Sequence, residues 1–377
     1  MELSQVKKVV FLTGTRADFG KLKILISSLL KSENFEVFVF VTGMHMLSKY
    51  GNTYREVEKS GYPNIHKFIN QNAGDNMDRI LVKTISGFSD YIKEVSPHFI
   101  VVHGDRLEAL SGAIVGSFNN ILTGHIEGGE VSGTIDEIIR HSISKLCQIH
   151  FAANKQAKKR LLQLGELEDS IHVIGSPDMD IMNSKSLPSI QKVKRRYEIN
   201  FNKYGIILFH SVTTELSEIS SQVKSLVDVV INSKRNFVVI YPNNDPGSDI
   251  ILEEYKRLEV IDRFLLYPSL RFEYFLTLLK DAQLIIGNSS AGIREAPYYG
   301  VPCINLGSRQ NGRVLSKSVV NLAFDSDTIK SEIERVCSIR NDKEETFGEG
   351  NSGPKFLEIL NSKGFWGQKV QKKFIDI

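Results

Sequence analysis

The sequence predicts an α/β protein with two doubly wound parallel sheets, for three reasons. Its 377 residues exceed the roughly 150 that one domain typically contains. Short apolar runs rich in β-branched residues alternate with stretches whose apolar residues recur at helical spacing, as in strand–helix–strand units. This alternation starts afresh after residue 203. We therefore expect two Rossmann-like domains facing an interdomain cleft, because open α/β sheets bind ligands outside the carboxyl ends of their strands.

The composition is that of an ordinary globular protein. Its 41% hydrophobic and 24% charged residues exclude a disordered chain or a coiled coil. Lys and Arg number 47 against 44 Asp and Glu, a net charge of +3, so we expect neither a nucleic-acid nor a membrane partner. Three sparse cysteines fit a reducing compartment, and no apolar run is long enough for a secretory signal or a membrane span. These features predict a soluble, cytoplasmic protein.

The predicted strands are short and apolar at consecutive positions, as parallel strands covered on both faces should be. In the first half they cover residues 6–13, 35–41, 99–103, 121–126, 149–153 and 171–174. In the second half they cover residues 206–209, 237–241, 264–267, 284–286 and 303–306. Helical spacing is clear in residues 21–30 and 77–95.

A polar seam over residues 179–203 separates the two halves. We predict an N-terminal domain over residues 1–183, a second domain over residues 184–352, and a C-terminal tail over residues 353–377. The tail carries aromatic residues on a polar background. We expect it to form an amphipathic helix that packs back on the first domain.

The first strand runs into the loop TGTRADFGK at residues 13–21, which opens a helix. Free backbone N–H groups at a helix start suit a phosphate, and Arg16 and Lys21 add positive charge. The loop matches neither a Walker sequence nor the dinucleotide fingerprint. An ordinary capped turn is the alternative interpretation.

Three carboxylates follow strands, or lie in the loops just after them, within one short span: Asp105, Glu127 and Asp136. For each of them, a purely structural role as a helix cap or a turn residue is the alternative interpretation. Together they predict a crowded acidic site, in which one carboxyl group can act as an acid while another acts as a base. Their spacing does not resemble a metal site, so we expect no metal.

The second half places polar residues after its strands in the same way. His210 ends the first of these strands, although a lone histidine is usually structural, and Asn243 lies in a turn after the next strand. The segment GNSSAGIREA at residues 287–296 passes from a strand into a helix. Ser289 and Ser290 suit a diphosphate there, and the carboxylate of Glu295 suits vicinal ribose hydroxyls. Helix capping with a first-turn carboxylate is the alternative, and Arg309 offers a further phosphate contact.

The ordered motifs resemble those of a known family, the hydrolysing UDP-N-acetylglucosamine 2-epimerases of sialic acid biosynthesis. The motifs are TGTRADFGKL at residues 13–22, VTGMH at 41–45, HGDRLEA at 103–109, HIEGGEVSGTID at 125–136, RHSISK at 140–145 and GNSSAGIRE at 287–295. The resemblance covers nearly the full chain. It implies the two-domain GT-B architecture and the conversion of UDP-N-acetylglucosamine and water to N-acetylmannosamine and UDP. It implies no cofactor, and a homo-oligomer of two or four chains.

The resemblance also implies roles for individual residues. Asp105, Glu127 and Asp136 match the catalytic acids of the family, with the first two expected to handle the proton on sugar carbon 2. His210 matches a histidine that assists UDP departure. The implied substrate contacts are His45 on the sugar side and, on the nucleotide side, Arg16, Lys21, Arg106, Asn243, Ser289, Ser290, Glu295 and Arg309.

Four other activities remain open at this point. The nearest is the same chemistry on a UDP-2,4-diacetamido-trideoxyhexose of legionaminic acid synthesis, followed by a non-hydrolysing epimerase. A GT-B glycosyltransferase would transfer the sugar to an acceptor. A catalytically silent module would bind the nucleotide sugar without changing it.

Overall fold

The computed structural model describes residues 5–72, 74–131, 135–184, 187–243, 245–312 and 316–375. The chain forms two compact units. The first comprises Met1–Glu130, Asp136–Ser184 and Thr346–Ile377, and the second comprises Val131–Ile135 and Lys185–Glu345. The predicted domain boundaries at residues 183–184 and 352–353 stay a prediction, and residues 185–186 of the predicted seam lie outside the described residues.

Within the described residues, the first unit contains a seven-stranded parallel sheet in the order β3-β2-β1-β4-β5-β6-β7. Its strands are β1 Lys7–Thr13, β2 Phe35–Val41, β3 Asn64–Lys67, β4 Phe99–His103, β5 Leu122–Ile126, β6 Ile149–Ala152 and β7 Ile171–Val173. Its helices are α1 Arg16–Leu29, α2 Tyr54–Glu58, α3 Met77–Val95, α4 Leu107–Phe118, α5 Ile135–Leu146, α6 Lys155–Gln163 and α7 Pro177–Met182, with α15 Ser352–Asn361 from the end of the chain.

The described part of the second unit contains a six-stranded parallel sheet in the order β10-β9-β8-β11-β12-β13. Its strands are β8 Gly205–Leu208, β9 Phe237–Ile240, β10 Phe264–Tyr267, β11 Ile285–Gly287, β12 Cys303–Leu306 and β13 Val319–Leu322. Its helices are α8 Ile190–Arg196, α9 Ile219–Asn232, α10 Ser248–Glu259, α11 Phe272–Asp281, α12 Ser290–Ile293, α13 Glu295–Tyr298 and α14 Ser326–Val336. The predicted class, two doubly wound parallel-sheet domains, is confirmed.

Alternation along β1 shows why its sequence is apolar at consecutive positions. Val9 and Phe11 belong to the core layer that includes α1 and α15. Val10 and Leu12 belong to the opposite layer, beneath α3 and α4. Because successive strand residues point to opposite faces, a sheet with helices on both sides requires apolar side chains at every position.

The C-terminal tail completes the first unit. Phe356 of α15 packs on Phe11 and Phe151, with ring centroids 6.3 and 4.8 Å apart. The carboxylate of Asp180 accepts hydrogen bonds from the backbone N–H groups of Ser352 at 2.7 Å and Gly353 at 2.9 Å. These two bonds satisfy donors that the first turn of α15 leaves unpaired.

Candidate functional site

In the first unit the strand order reverses between β1 and β4, and polar residues follow both strands. β1 runs into Gly14 and α1, while β4 ends at His103 and continues through Gly104 to Asp105. Glu127 directly follows β5, the next strand in the sheet. Open parallel sheets bind ligands at such a reversal, outside the carboxyl ends of the strands. The fold therefore brings two of the predicted carboxylates to this edge.

Arg140 of α5 ties the two carboxylate-bearing loops together. Its Nη2 is ion-paired with Asp105 Oδ2, and its Nη1 donates to the backbone carbonyl oxygen of Glu127 at 2.8 Å. The Arg140 side chain is 5% exposed, against 22% for Asp105, so water reaches the pair mainly from the carboxylate side. A planar guanidinium fixes orientation as well as charge. Arg106, and not Asp105, is the N-cap of α4, so the capping alternative for Asp105 does not apply.

Glu127 is a buried carboxylate on an uncommon backbone conformation. Its φ is +63°, in the left-handed region that residues with side chains seldom occupy. Its backbone N–H donates to the Phe151 carbonyl oxygen at 2.9 Å, and its Oε1 accepts from Ser176 Oγ at 2.5 Å. Such conformations persist where surrounding contacts fix them, and they are frequent at functional sites.

A chain of buried ionisable groups continues from Glu127. His103 places Nε2 3.2 Å from Glu127 Oε2 and Nδ1 2.9 Å from Asp18 Oδ1. Lys21 Nζ lies 3.5 Å from Glu127 Oε2 and 2.8 Å from Asp178 Oδ2. Burial alone lowers the pKa of His103, but its hydrogen bonds to the two carboxylates outweigh burial and raise that pKa to about 9. His103 is therefore protonated at neutral pH.

The third predicted carboxylate, Asp136, lies in the first turn of α5. Arg140 comes four residues later, and residues at this spacing share one face of a helix. Asp136 is half-buried, and it shares this face of α5 with Arg140, whose guanidinium is bound to Asp105. Residues 132–134 of the motif that contains Asp136 lie outside the described residues.

His45, the predicted sugar contact, is fully buried beside β1. Its Nε2 lies 3.1 Å from Thr13 Oγ1 and its Nδ1 lies 2.8 Å from Thr53 Oγ1. Burial lowers the pKa of His45 to about 4, so the ring is neutral. Both ring nitrogens are engaged by hydroxyls, so the ring links the loops that follow β1 and β2. The sugar contact of His45 stays a prediction.

The predicted nucleotide-side cations of the first unit are each beside a carboxylate. Arg16 Nε donates to Glu56 Oε2 at 2.8 Å, and Arg106 Nε lies 3.7 Å from Glu108 Oε2. Lys21 faces Glu127, as described above, so its charge balances the buried acidic group. The nucleotide contacts of these three residues stay predictions.

In the second unit the strand order reverses between β8 and β11, and His210 and Asn288 bridge the reversal. Asn288 Oδ1 accepts from the His210 backbone N–H at 2.7 Å, and Asn288 Nδ2 donates to the His210 carbonyl oxygen at 2.8 Å. His210 Nδ1 accepts from the backbone N–H of Asn243 at 3.0 Å. Burial, with a smaller effect of Arg309, holds the pKa of His210 well below its usual value. The neutral ring therefore carries its proton on Nε2.

The loop after β11 leads directly into α12. Ser289 is the N-cap of this helix, with its Oγ accepting from Ala291 N at 3.3 Å, so this side chain has the capping contact expected of a serine. Ser290 begins α12, and the buried Glu295 begins α13. Arg309 Nη1 donates to the Asn288 carbonyl oxygen at 3.4 Å. The second unit thus gathers His210, Ser289 and Arg309 around Asn288.

Sequence reasoning missed the residues that hold Asp105 and Glu127 in place. They are Asp18, His103, Arg140, Ser176 and Asp178. The first three stood inside motifs already singled out, and of these His103, the last residue of β4, carried the signal of a titratable residue at an apolar strand end. Ser176 and Asp178 lie at the start of α7, in a Ser-Pro-Asp sequence that gave no such signal.

The described residues also bear on two other features, metal sites and membrane-spanning helices. Neither sheet edge nor any other described part of the chain groups three His, Cys, Asp or Glu residues as a metal ion would require. Among the helices formed by the described residues, none has the length and apolar character needed to cross a bilayer.

Comparison with known proteins gives relatives over the full chain. The sequence profile of the UDP-N-acetylglucosamine 2-epimerase family matches residues 27–361. A protein of Neisseria meningitidis serogroup B named UDP-N-acetylglucosamine 2-epimerase is 45% identical, over 99% of this chain and 100% of its own. A protein of Legionella pneumophila named UDP-N,N'-diacetylbacillosamine 2-epimerase (hydrolyzing) is 29% identical, over 97% of this chain and 99% of its own.

Solved structures share the fold. The crystal structure of a UDP-GlcNAc 2-epimerase from Neisseria meningitidis, described as bound to UDP-GlcNAc, superposes with a TM-score of 0.79 at 18% identity, covering 94% of this chain and 99% of that one. At that identity the likeness concerns architecture alone, and it supports the GT-B class. The profile match and the 45% relative establish the family. The chain is an enzyme of the UDP-N-acetylglucosamine 2-epimerase family.

Proposed function

We propose that the protein is a hydrolysing 2-epimerase, which converts UDP-N-acetylglucosamine and water to N-acetylmannosamine and UDP for sialic acid synthesis. The hydrogen on sugar carbon 2 is scarcely acidic, because no carbonyl group adjoins it. When the anomeric C–O bond breaks first, the oxocarbenium ion that forms makes this hydrogen acidic. One carboxylate then removes it to give 2-acetamidoglucal, and a protonated carboxyl group delivers a proton to the opposite face. Water adds at carbon 1.

The observation that carries the proposal is the pairing of Asp105 and Glu127 through Arg140 at one sheet edge. Epimerisation at carbon 2 needs a base and an acid whose positions are fixed relative to each other. Two carboxylate loops joined by one buried guanidinium meet that requirement. We assign to Asp136, on the same face of α5 as Arg140, the role of stabilising the cation or orienting water.

The second unit offers groups suited to the departing diphosphate. His210 carries its proton on Nε2 and donates it as a hydrogen bond, while Ser289, Ser290 and Arg309 supply further donors and positive charge. Preorganised donors aimed at developing negative charge are a large contribution to catalysis. Glu295 is assigned to the ribose hydroxyls, as the family resemblance implies.

Two alternatives are worth testing beside this reaction. The Legionella relative is named for a diacetamido sugar and for hydrolysis, which supports the same chemistry on a UDP-2,4-diacetamido-trideoxyhexose. A GT-B glycosyltransferase shares the architecture, but it has no need for paired carboxylates that exchange the proton on carbon 2.

Turnover in deuterated water separates these activities. Incubation of the purified protein with UDP-N-acetylglucosamine in D₂O, followed by NMR and mass spectrometry, should give free UDP and N-acetylmannosamine with deuterium at carbon 2. Recovery of UDP-N-acetylmannosamine would indicate a non-hydrolysing epimerase. Turnover of the UDP-2,4-diacetamido-trideoxyhexose but not of UDP-N-acetylglucosamine would show that the diacetamido sugar is the substrate. N-acetylmannosamine without deuterium at carbon 2 would exclude the elimination route.

A further inference from the structure

Glu127 and Asp105 have unlike surroundings, although both are assigned to the proton on carbon 2. Glu127 is 2% exposed, and its carboxylate receives Ser176 Oγ at 2.5 Å and His103 Nε2 at 3.2 Å. Asp105 is 22% exposed, and its pairing with Arg140 involves a group that never gives up its proton. Glu127 therefore lies against a partner, His103, from which it can receive a proton at ordinary pH.

The geometry of His103 fixes where that proton resides. Both of its ring nitrogens face carboxylate oxygens, Asp18 Oδ1 and Glu127 Oε2, and an ionised carboxylate only accepts hydrogen bonds. Each nitrogen must therefore carry a hydrogen, unless the proton has moved to the carboxylate. One proton therefore lies between His103 Nε2 and Glu127 Oε2, and either residue can carry it.

The charges around this line favour the imidazolium form in the resting enzyme. Helix α1 contributes Asp18 and Lys21, α7 contributes Asp178, and β5 contributes His125, which burial keeps neutral by lowering its pKa. Lys21 is ion-paired with Asp178 and Glu127. Arg140 of α5 is bound to Asp105 and to the Glu127 carbonyl oxygen. Asp18 and Glu127 thus face His103 as two carboxylates, and a positive ring balances them.

We propose that His103 is the proton reservoir of this centre and acts through Glu127, while Asp105 is the base that takes the original proton from carbon 2. The inference rests on the proposed function. In the first half-reaction the C–O bond to UDP breaks and the carbon 2 hydrogen passes to Asp105 as a proton, which leaves 2-acetamidoglucal. In the second, His103 passes its Nε2 proton to Glu127, and Glu127 passes it to carbon 2.

The atoms and charges of this sequence balance with water as the only co-reactant. The cation formed at carbon 1 takes hydroxide from water and releases a proton. Asp105 loses the proton it took, His103 recovers one from solvent, and the sum is one proton released per UDP formed. Burial of Glu127 keeps its transferred proton from exchanging with water before it reaches carbon 2.

The test replaces His103 by glutamine, which fills a similar space and donates a hydrogen bond but cannot supply a proton. We expect His103→Gln to release UDP within a few-fold of the wild-type rate, while formation of N-acetylmannosamine falls by about 10²–10⁴-fold, the usual contribution of a general acid. Free 2-acetamidoglucal should accumulate in proportion to the UDP that is released without formation of N-acetylmannosamine, as measured by NMR. The matched control is His172→Gln, at a half-buried histidine whose ring centroid lies 5.8 Å from that of Phe151; it should leave both rates unchanged.

If His103→Gln lowers the rates of UDP release and of N-acetylmannosamine formation equally, the reservoir role is overturned. It is also overturned if both rates stay at their wild-type values. Absence of either product from the wild-type protein would instead contradict the proposed function itself. These two failures are distinguishable, because the second is seen before any residue is changed.

Asp18→Asn provides a second measurement if the glutamine variant fails to fold. This change keeps His103 but removes one of its two carboxylate partners. Since activity requires the protonated ring, the rate should fall as pH rises through the pKa of His103, which is raised to about 9. In Asp18→Asn this alkaline limb of the kcat profile should move to lower pH by about one unit or more. An alkaline limb at the wild-type position would contradict the proposal.

Discussion

Two buried histidines of the first unit show how neighbouring atoms, and not burial alone, decide the charge of a residue. His45 lies between two threonine hydroxyls, and burial lowers its pKa to about 4. His103 is also buried, yet its two carboxylate neighbours raise its pKa to about 9. Because hydroxyls accommodate a neutral ring and carboxylates favour a charged one, the same side chain is neutral in one place and charged in the other.

Asp105→Asn tests the assignment of the base at the scale of one residue. The amide keeps an oxygen that accepts from Arg140, so the fold should survive, but it has no usable affinity for a proton. We expect turnover to fall by about 10²–10⁴-fold, with the dissociation constant for UDP within a few-fold of wild type by calorimetry. Glu137→Gln, which alters the ion pair with His141 on the same helix, is the carboxylate control. Loss of UDP affinity in Asp105→Asn would mean that Asp105 holds the nucleotide or the fold.

At the scale of elements, the turn from β11 into α12 depends on a glycine. Gly287 has a φ of +141°, and a Cβ atom there would lie 2.1 Å from the Leu208 carbonyl oxygen. This backbone conformation is open almost only to glycine. Asn288, Ser289 and Ser290 follow at once, so the turn also determines where these polar side chains lie.

Gly287→Ala should destabilise the second unit and weaken UDP binding together. Strain and the clash with β8 should lower the free energy of unfolding by at least about 2 kcal/mol, as measured by urea denaturation. Gly364→Ala is the control, since Gly364 has a φ of −66° and nothing within 4 Å of a built Cβ atom. The control should change stability by less than about 0.5 kcal/mol. Equal stability of the two variants would contradict the argument.

Elements and contacts differ in how far the sequence predicts them. The strand runs were predictable because burial on both faces leaves an apolar signature, and residues 77–95 form a helix as their spacing indicated. The edge strands β3 and β13 were missed, because their half-exposed segments NIHK and VVNL are short and carry little of that signature. Asp105 and Glu127 were recognisable from their place after strands. Ser176 was not, since it is 49 residues from Glu127 and only folding brings the two together.

At the scale of the whole chain, the last residues complete a unit that the first residues begin. The tail contributes Phe356 and Phe365 to the core layer that contains β1. Further along, Lys372 inserts its ammonium group at the end of α5, where it donates to the Cys147 carbonyl oxygen at 2.8 Å and is ion-paired with Glu166. Glu166 also binds His150 Nε2 at 2.9 Å. Helix α5 also carries Asp136 and Arg140, so the tail supports the helix whose Arg140 binds Asp105.

Lys372→Met should therefore destabilise the first unit. The change leaves the 1%-exposed Glu166 without one of its cations, and removing one partner of a largely buried pair is costly. We expect a loss of about 1–3 kcal/mol at pH 7 in urea denaturation. Lys373→Met, at an exposed position next along the chain, should change stability by less than about 0.5 kcal/mol.

The pH dependence of this loss follows from Glu166. Burial raises its pKa, but the hydrogen bond from His150 and the charges of His150 and Lys372 outweigh burial and lower that pKa to about 2. A carboxyl group whose pKa is depressed on folding stabilises the protein above its unfolded-state pKa, about 4.3, and this contribution is lost as pH falls toward the folded value. The difference between wild type and Lys372→Met should thus be smaller at pH 3 than at pH 5. A difference that grows on acidification would show that Lys372 stabilises the tail by a contact other than its ion pair with Glu166.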